Sequence, residues 1–363
     1  MFLADKHNFG QQVEKVQRGS DTWYRKPRTV YWEWFFFGKT SPLKTIFDES
    51  ASHGTKSLSE YFFNLDIEIE NIWSGFAKEY PSEEVAITNE HFYAYGILIA
   101  YCYIFGIRDL HKQNLIKTKI HFQVVDVEVV FTSLLLPHET LLLPFKGIGY
   151  EFAGIGTLVN SKEELSEENK KQLILGYWDL FDLVIRKKSD IEEVLSKQDF
   201  SKKPSRMIIR NTSEYKNFLE TLPDNALPSE IEQMRRGDVP YYFKFIGDSN
   251  LYWLKSLEQY ENEPSLGGFQ RDINRHAKYE STEWSKEILS MKILITGMLY
   301  LLKSLAISLE INLSDDFYIR NDIVIHEKRD KEAIGGIVIQ IGEYVVDSTI
   351  RTQLHKLQKA MRA

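Results

Sequence analysis

Three polar side chains stand in an order and at a spacing that suit phosphoryl transfer. Asn114 follows Asp109 by five residues, and Asp126 comes after a predicted hairpin with strands over 115–116 and 120–125. Transfer of a phosphoryl group from ATP needs a carboxylate near the attacking hydroxyl, an Asn and an Asp on Mg²⁺, and a Lys on the phosphates. A polar turn between two buried elements is the alternative, and spacing alone favours neither interpretation.

Protein kinases use the same order of Asp, Asn and Asp. A candidate lysine for the phosphates, Lys26, stands at the end of a predicted hairpin whose turn is Arg18-Gly19-Ser20-Asp21. The next segment, 29–37, is dense in aromatic residues and contains one acid, Glu33. If that segment is helical, Glu33 would pair with Lys26; a solvated basic turn and a surface acid are the alternatives.

A second cationic group lies in the segment 206–212. In a strand, residues 206, 208, 210 and 212 share one face, which would present two guanidiniums and the hydroxyl of Thr212. Such a face would receive a phosphate well. In a helix, Arg206 and Thr212 would point apart. A surface strand, with Thr212 capping a helix over 214–222, is the alternative.

Longer elements would hold these groups in place. The segment 83–107 is a candidate helix that is apolar nearly all round, so we expect it to be buried and to deliver the chain to Asp109. The segments 166–195 and 288–309 also have helical patterns. The Gly-rich segment 147–156 lacks the G-x-G-x-x-G order of a phosphate-binding turn and is predicted to be a loop.

Composition restricts the classes of protein. A hydrophobic content of 43% predicts a globular chain, and a net charge of −7 gives no support for a general nucleic-acid surface. The single cysteine, Cys102, excludes an internal disulfide and a multi-cysteine zinc site. The N-terminus lacks a signal sequence, and each apolar run is shorter than the ~20 residues of a membrane span. These features predict a soluble, cytoplasmic protein.

Taken together, these segments resemble the dehydratase domain of the class II lanthipeptide synthetases, often called LanM. The resemblance covers roughly residues 1–245 and rests on several motifs in the family's order. The motifs are Asp5-Lys6-His7-Asn8-Phe9-Gly10-Gln11-Gln12-Val13, Tyr24-Arg25-Lys26-Pro27-Arg28, Asp109-Leu110-His111-Lys112-Gln113-Asn114-Leu115-Ile116, Val125-Asp126-Val127-Glu128, Arg206 to Thr212 followed by Tyr215, and Asp238-Val239-Pro240-Tyr241-Tyr242-Phe243.

The resemblance implies an α+β, kinase-like fold, closest to lipid kinases, with helical additions. It implies a lobe with the ATP lysine over 1–80, a lobe with the catalytic and metal loops over 81–200, elimination elements over 201–330, and a tail over 331–363 that resembles the start of a cyclase. The implied reaction uses ATP and Mg²⁺ to phosphorylate Ser and Thr of a leader-bearing precursor peptide. Elimination of the phosphate then leaves dehydroalanine or dehydrobutyrine.

The resemblance also implies roles for individual residues. Lys26 would bind the ATP phosphates, Asp109 would act on the substrate hydroxyl beside His111, and Asn114 and Asp126 would hold the metal with support from Glu128. The residues that would serve the elimination step are Asp5, His7, Arg206 and Thr212.

The chain departs from the family pattern at several points. Ala4 stands where the family has Gly, Arg25 is an insertion, the region that normally precedes the first motif is almost absent, and one cysteine cannot supply the zinc site of a cyclase. We therefore expect no ring closure and a possible need for a separate lanthionine cyclase. The alternatives are a non-catalytic remnant that binds peptide and a kinase without the elimination step.

Overall fold

The computed structural model describes residues 6–49, 53–80, 85–119, 121–280, 291–305, 338–341 and 344–347. The chain divides into two compact units, Met1–Leu301 and Leu302–Ala363. The described residues form a mixed α+β structure with several antiparallel sheets, so the expected α+β class is confirmed.

The first sheet contains the hairpin that was predicted to carry Lys26. Its strands are β1 (Glu14–Arg18), β2 (Asp21–Lys26), β3 (Ile67–Asn71) and β4 (Ser74–Lys78), in the spatial order β1-β2-β4-β3. Gly19 turns the β1–β2 hairpin with a φ of 61°, a conformation that glycine adopts without steric cost. Lys26 is the last residue of β2 and lies opposite Gly75.

Helix α1 (Tyr31–Phe37) follows β2 and confirms that the aromatic segment is helical. Aromatic rings surround it: Trp32 packs edge-on against Phe131, with 5.6 Å between ring centroids. Its indole Nε1 donates a hydrogen bond of 2.6 Å to the backbone oxygen of Pro204. This buried bond fixes the rotation of α1, and therefore the direction of Glu33, relative to the strand that begins at Pro204.

Two long helices form the support beneath the candidate site. Helix α2 (Asn89–Ile104) is almost wholly buried, as expected, and packs against α3 (Glu167–Arg186). A Cβ on Gly96 would lie 2.0 Å from the backbone oxygen of Leu173, so the two helix backbones meet at a distance that only glycine permits. The predicted helix over 166–195 is in fact two helices, because α3 ends before Lys187 and α4 (Lys188–Ser196) starts anew.

The predicted hairpin between the two acidic loops is present. Strands β5 (Leu115–Lys117) and β6 (Phe122–Val124) pair in antiparallel register. Beyond the register, the backbone nitrogen of Val125 donates to the oxygen of Asn114 at 2.9 Å. The hairpin thus brings the end of the Asp109 loop beside the start of the Asp126 loop.

A second antiparallel sheet carries Arg206. Its strands are β7 (Pro204–Met207), β8 (Tyr242–Phe245), β9 (Tyr252–Leu254) and β10 (Tyr260–Asn262), in the spatial order β10-β9-β8-β7. Short helices α5 (Phe218–Thr221), α6 (Pro228–Arg235) and α7 (Gln270–Arg275) lie in the same part of the chain.

The expected continuous strand from Arg206 to Thr212 is wrong, because β7 ends at Met207. Arg210 leaves the strand and pairs with buried Glu230 at 2.9 Å, which makes an extended course unfavourable. Thr212 begins a 3₁₀ turn that ends at Tyr215, and the residue that precedes this turn is Asn211 rather than Thr212.

The remaining described elements are short or lie toward the C-terminus. Helix α8 (Met291–Ser304) falls within the predicted helix over 288–309, and β11 (Val338–Ile341) pairs with β12 (Tyr344–Asp347). Other 3₁₀ turns span Lys44–Phe47, Leu58–Tyr61, Lys112–Asn114, Pro137–Thr140, Gly154–Thr157, Lys162–Glu164 and Gly267–Phe269. Among the helices of the described residues, none combines the length and apolar character that a bilayer crossing requires.

Candidate active site

Lys26 lies at the centre of a buried group of charges. Its side chain is 6% exposed, and Nζ donates to Oε1 of Glu33 at 2.7 Å and to Oδ1 of Asp126 at 2.8 Å. Because the lysine comes from β2, the glutamate from α1 and the aspartate from the loop after β6, three elements converge on one ammonium. The expected pairing of Lys26 with Glu33 is therefore present.

Arg28 also enters this group. Its Nε contacts Oε1 of Glu128 at 2.9 Å, and its guanidinium hydrogen-bonds Asp126 and lies 3.7 Å from Glu33. Burial opposes its charge, but Glu128, Asp126 and Glu33 outweigh that effect and raise the pKa of Arg28. No role was predicted for Arg28 from the sequence, although it is the last residue of the Tyr24–Arg28 motif and follows Lys26 by two residues.

Asp126 sits in a left-handed backbone conformation, with a φ of 62°. Its backbone nitrogen donates to Oε1 of Glu33 at 2.8 Å, which anchors the loop to α1. Partial desolvation disfavours ionisation, but the charges of Lys26 and Arg28 dominate and lower the pKa of the Asp126 carboxyl below its ordinary value. Asp126 is therefore a carboxylate under all but strongly acidic conditions.

Asp109 shares the left-handed backbone conformation of Asp126, but its carboxyl pKa is shifted in the opposite direction. Its φ is 65°, again in the left-handed region. Burial raises the pKa of the Asp109 carboxyl, and the nearby guanidinium of Arg206 only partly opposes that rise. Backbone strain of this kind costs about 1–3 kcal/mol and concentrates at functional sites. Both candidate carboxylates thus occupy conformations that the surrounding structure must impose.

The neighbours of Asp109 hold its loop in place. The side-chain Nδ2 of Asn114 donates to the backbone oxygen of Asp109 at 2.8 Å. The ring of His111 lies against Phe152, with 5.1 Å between centroids, and its Nδ1 accepts from the backbone nitrogen of Gln113 at 3.3 Å. Asn114 and His111 therefore both act on the shape of the loop that presents Asp109.

Glu128 connects this group to the second sheet. Its Oε1 contacts Nη1 of Arg206 at 3.3 Å, and its Oε2 accepts from the hydroxyl of Tyr241 at 3.1 Å. The Arg206 guanidinium lies over the Tyr241 ring, 5.2 Å from the centroid. Tyr241 had no role in the sequence analysis although it lies in the last motif. Its significance depends on pairing between β7 and β8, which sequence spacing does not reveal.

His7 also contacts the ring of Tyr241. Its ring lies edge-on to Tyr241 with 5.8 Å between centroids, and Nδ1 donates to the backbone oxygen of Val239 at 2.8 Å. A carbonyl only accepts, so this nitrogen carries the hydrogen and Nε2 is the basic nitrogen of the neutral ring. The carboxylate of Asp238 accepts from the backbone nitrogens of Phe9 and Gly10 at 2.7 and 2.8 Å, which fastens the N-terminal segment here.

One of the predicted elimination residues, Thr212, has no contact with this network among the described residues. Thr212 is exposed, and Arg210, its neighbour in the expected phosphate receptor, is bound to Glu230 and Asn225 instead of facing Arg206. Asp5 lies outside the described residues. The structure therefore brings together Lys26, Asp109, Asn114, Asp126, Glu128, Arg206 and His7, which are linked through direct contacts or electrostatic interactions.

Two buried atoms at the centre of the site lack a hydrogen-bond partner within the described part of the chain. They are Nη1 of Arg28 and Oε2 of Glu33. Buried polar atoms are nearly always paired with protein or water, so each unpaired one calls for an explanation. Here the unpaired atoms belong to the two side chains that flank Lys26, which is compatible with a polar molecule completing the site.

The residues at this site would supply only part of the coordination shell of a hard cation such as Mg²⁺. Across the described ranges, no group of three or more His, Cys, Asp and Glu side chains has metal-binding geometry. The Asp126 side chain is nevertheless 46% exposed, although Lys26 and Arg28 contact one of its oxygens. With Asn114 nearby, Mg²⁺ would fit here as it does in phosphate sites, where substrate oxygens and water supply most ligands.

Comparison with protein families gives two partial matches. Residues 1–151 match the family described as "Domain of unknown function (DUF4135)", and residues 291–361 match the family described as "ATP synthase delta (OSCP) subunit". The first match includes the Lys26 hairpin, α1 and both acidic loops. The second falls mainly outside the described residues. No curated protein is similar enough to this chain to serve as a named relative.

Proposed function

We propose that this protein is an ATP- and Mg²⁺-dependent dehydratase that phosphorylates Ser and Thr of a precursor peptide and then eliminates the phosphate. The observation that carries the proposal is the convergence of Glu33 and Asp126 on the ammonium of Lys26, at 2.7 and 2.8 Å. In protein kinases, a lysine on the ATP phosphates pairs with a helix glutamate, and an aspartate of the metal loop holds Mg²⁺. The resemblance of the motifs to the class II lanthipeptide synthetases supports the same reading.

In the first step, the oxygen of the substrate hydroxyl bonds to the γ-phosphorus of ATP, and Asp109 accepts the hydroxyl proton. The raised pKa of the Asp109 carboxyl suits a proton acceptor that must later release the proton. Lys26 holds the phosphates while ADP departs. Asn114 and Asp126 would hold Mg²⁺, which when bound neutralises the charge on the phosphates.

In the second step, a base removes the α-proton of the phosphorylated residue, the electron pair forms the Cα–Cβ double bond, and phosphate leaves. Arg206 is placed beside Glu128, next to the group that would handle ATP, so its guanidinium can stabilise the departing dianion. His7 Nε2 is the candidate base, because its neutral tautomer is set by the hydrogen bond to Val239.

A second candidate is a kinase that stops at phosphorylation. The end of β7 at Met207 and the exposure of Thr212 favour it, since half of the expected phosphate receptor lies away from Arg206. One assay separates the candidates: the protein is incubated with ATP, Mg²⁺ and a leader-bearing Ser/Thr-rich peptide, and the peptide masses are read.

Loss of water supports the dehydratase, and stable addition of phosphate supports the kinase. No change with any such peptide supports a non-catalytic remnant that only binds peptide. We expect Arg206→Ala to accumulate phosphopeptide, since it removes only the cation for the leaving group, and Asp109→Ala to stop both steps. Normal dehydration by Arg206→Ala would show that the role given to Arg206 is wrong.

A further inference from the structure

A cavity of about 380 Å³ borders the charged group without containing Lys26. It shares Arg28 and Tyr241 with the candidate site and extends from them to the β3–β4 turn and to the region after β9. Its volume falls in the range of ~300–1,000 Å³ typical of ligand sites. A transfer between two substrates requires a second binding place beside the proposed nucleotide site, and this cavity borders that site through Arg28.

The charge of the lining is one-sided. Arg25 and Arg28 line the cavity, and no carboxylate does so among the described residues. Arg25 contacts Glu70 at 3.2 Å, but both side chains are 41% exposed, so this surface pair is weak and leaves the guanidinium available. Arg28 is already paired with Asp126 and Glu128, so the guanidinium of Arg25 is the group of the lining that favours an anionic ligand.

Apart from the hydroxyls of Ser74 and Tyr241, the rest of the lining is apolar or carries amides. Trp73 is held by an edge-on contact with Phe243, 4.9 Å between centroids, and its backbone nitrogen donates to Oδ1 of Asn71 at 2.7 Å. Leu257 is 57% exposed at the rim. A fixed indole and an exposed leucine offer contact area that costs little conformational entropy on binding.

One buried amide adds to this picture. Asn8 lines the cavity, is 4% exposed, and has a side-chain Oδ1 without a hydrogen-bond partner among the described residues. Together the lining offers the guanidinium of Arg25 for a carboxylate, apolar surface for a side chain and amides for a peptide backbone. A small inorganic anion would use only the first of these.

We propose that this cavity binds a segment of the substrate peptide in which an acidic residue stands beside a large apolar one. The inference rests on the proposed function for its biological meaning, but the binding itself does not require turnover. Arg28 lies between the two substrates, since it lines the cavity and also contacts Asp126 and Glu128.

The test uses a displayed library of random peptides of about 12 residues, long enough to fill a groove in extended form. The library is selected on the full-length wild-type chain, on Leu257→Glu and on the matched control Leu219→Glu, whose leucine is 44% exposed and does not line the cavity. We expect wild type and the control to enrich peptides with Asp or Glu next to a large apolar residue.

Leu257→Glu should weaken binding of those peptides at least about tenfold, which corresponds to about 1.4 kcal/mol, because it adds a negative charge and removes apolar surface. Arg25→Gln should reduce the preference for the acidic residue and leave the apolar preference intact. Excess ATP should not displace the peptides. Equal enrichment by Leu257→Glu and wild type, enriched peptides without acidic residues, or displacement by ATP would each overturn the proposal.

The two proposals fail separately. Selected peptides that contain Ser are incubated with ATP and Mg²⁺. Binding that depends on Leu257 without any conversion would remove the enzymatic proposal and keep the cavity. Conversion with the same KM for peptide in wild type and Leu257→Glu would remove the cavity and keep the enzyme.

Discussion

Replacing Tyr241 by Phe removes one hydroxyl from the junction between the two sheets and leaves the ring in place. That hydroxyl donates to Oε2 of Glu128 at 3.1 Å, and both residues are at most 5% exposed. A hydrogen bond to a charged group contributes about 1.5–3 kcal/mol, and a buried carboxylate oxygen cannot turn to water for a replacement donor. We therefore expect Tyr241→Phe to lose about 1.5–3 kcal/mol of unfolding free energy in urea titrations.

A double-mutant cycle isolates this contact. Glu128→Gln converts the acceptor to a neutral group, for which a hydrogen bond contributes only about 0.5–1.5 kcal/mol. The cost of Tyr241→Phe should thus fall by about 1 kcal/mol in the Glu128→Gln background. Additivity of the two substitutions within about 0.3–0.5 kcal/mol would refute the reasoning, because it would show that the hydroxyl and the carboxylate do not interact.

A matched control distinguishes stability from function. Tyr215 is also buried and donates from its hydroxyl to a glutamate, Glu230, at 2.8 Å, but it lies outside the candidate site. Tyr215→Phe should lose a similar free energy of unfolding and leave peptide conversion unchanged. Tyr241→Phe should in addition raise the Mg²⁺ concentration for half-maximal conversion, because it loosens Glu128. An equal Mg²⁺ dependence in both variants would show that the Tyr241 hydroxyl contributes to stability only and not to activity.

Three further predictions concern the support of the site and the site itself. Gly96→Ala should lose about 1–3 kcal/mol of unfolding free energy, because the new Cβ would lie 2.0 Å from a backbone oxygen of α3. The control Gly268→Ala, whose Cβ would have nothing within 4 Å, should change the unfolding free energy by less than about 0.5 kcal/mol. Urea titrations check both variants. Burial lowers the pKa of His276 to about 3, so on acidification the unfolded chain binds this proton before the folded chain does. The free energy of unfolding therefore falls as the pH falls from about 6.5 toward 3. His276→Gln should reduce that loss by up to about 5 kcal/mol, which denaturation at a series of pH values measures. Glu33→Gln keeps the shape of its side chain but removes a charge 2.7 Å from Lys26, so ATP-dependent peptide conversion should drop about tenfold or more; an unchanged rate would separate this pair from the chemistry.

The sequence predicts best what depends on local order. The β1–β2 turn, the aromatic helix and the β5–β6 hairpin each occupy a short stretch, so the positions of Lys26 and of the two acidic loops follow from patterns within that stretch. The pairing of Lys26 with Glu33 follows as well, because a strand end and the first turn of the next helix are close in the chain.

Contacts between distant segments could not be predicted in this way. Tyr241 acquires its partners through the pairing of β7 with β8, and the hydrogen bond from Gly10 to Asp238 joins residues that are 228 positions apart in the chain. The prediction that the strand continues beyond Met207 was wrong for the same reason, because Arg210 pairs with buried Glu230 on α6. The alternation of side chains with a period of two residues predicts which residues of a strand share a face. It does not reveal the residue at which a strand ends because of a tertiary contact.

The most direct measurement of the central claim is chemical labelling of Lys26. An acyl-phosphate derivative of ATP places a reactive carbonyl beside any lysine that contacts the nucleotide phosphates, and mass spectrometry of the digested protein identifies the acylated residue. We predict that Lys26 is acylated in the presence of Mg²⁺ and that excess ATP prevents it. Labelling confined to other lysines, or labelling of Lys26 that excess ATP does not reduce, would contradict the account.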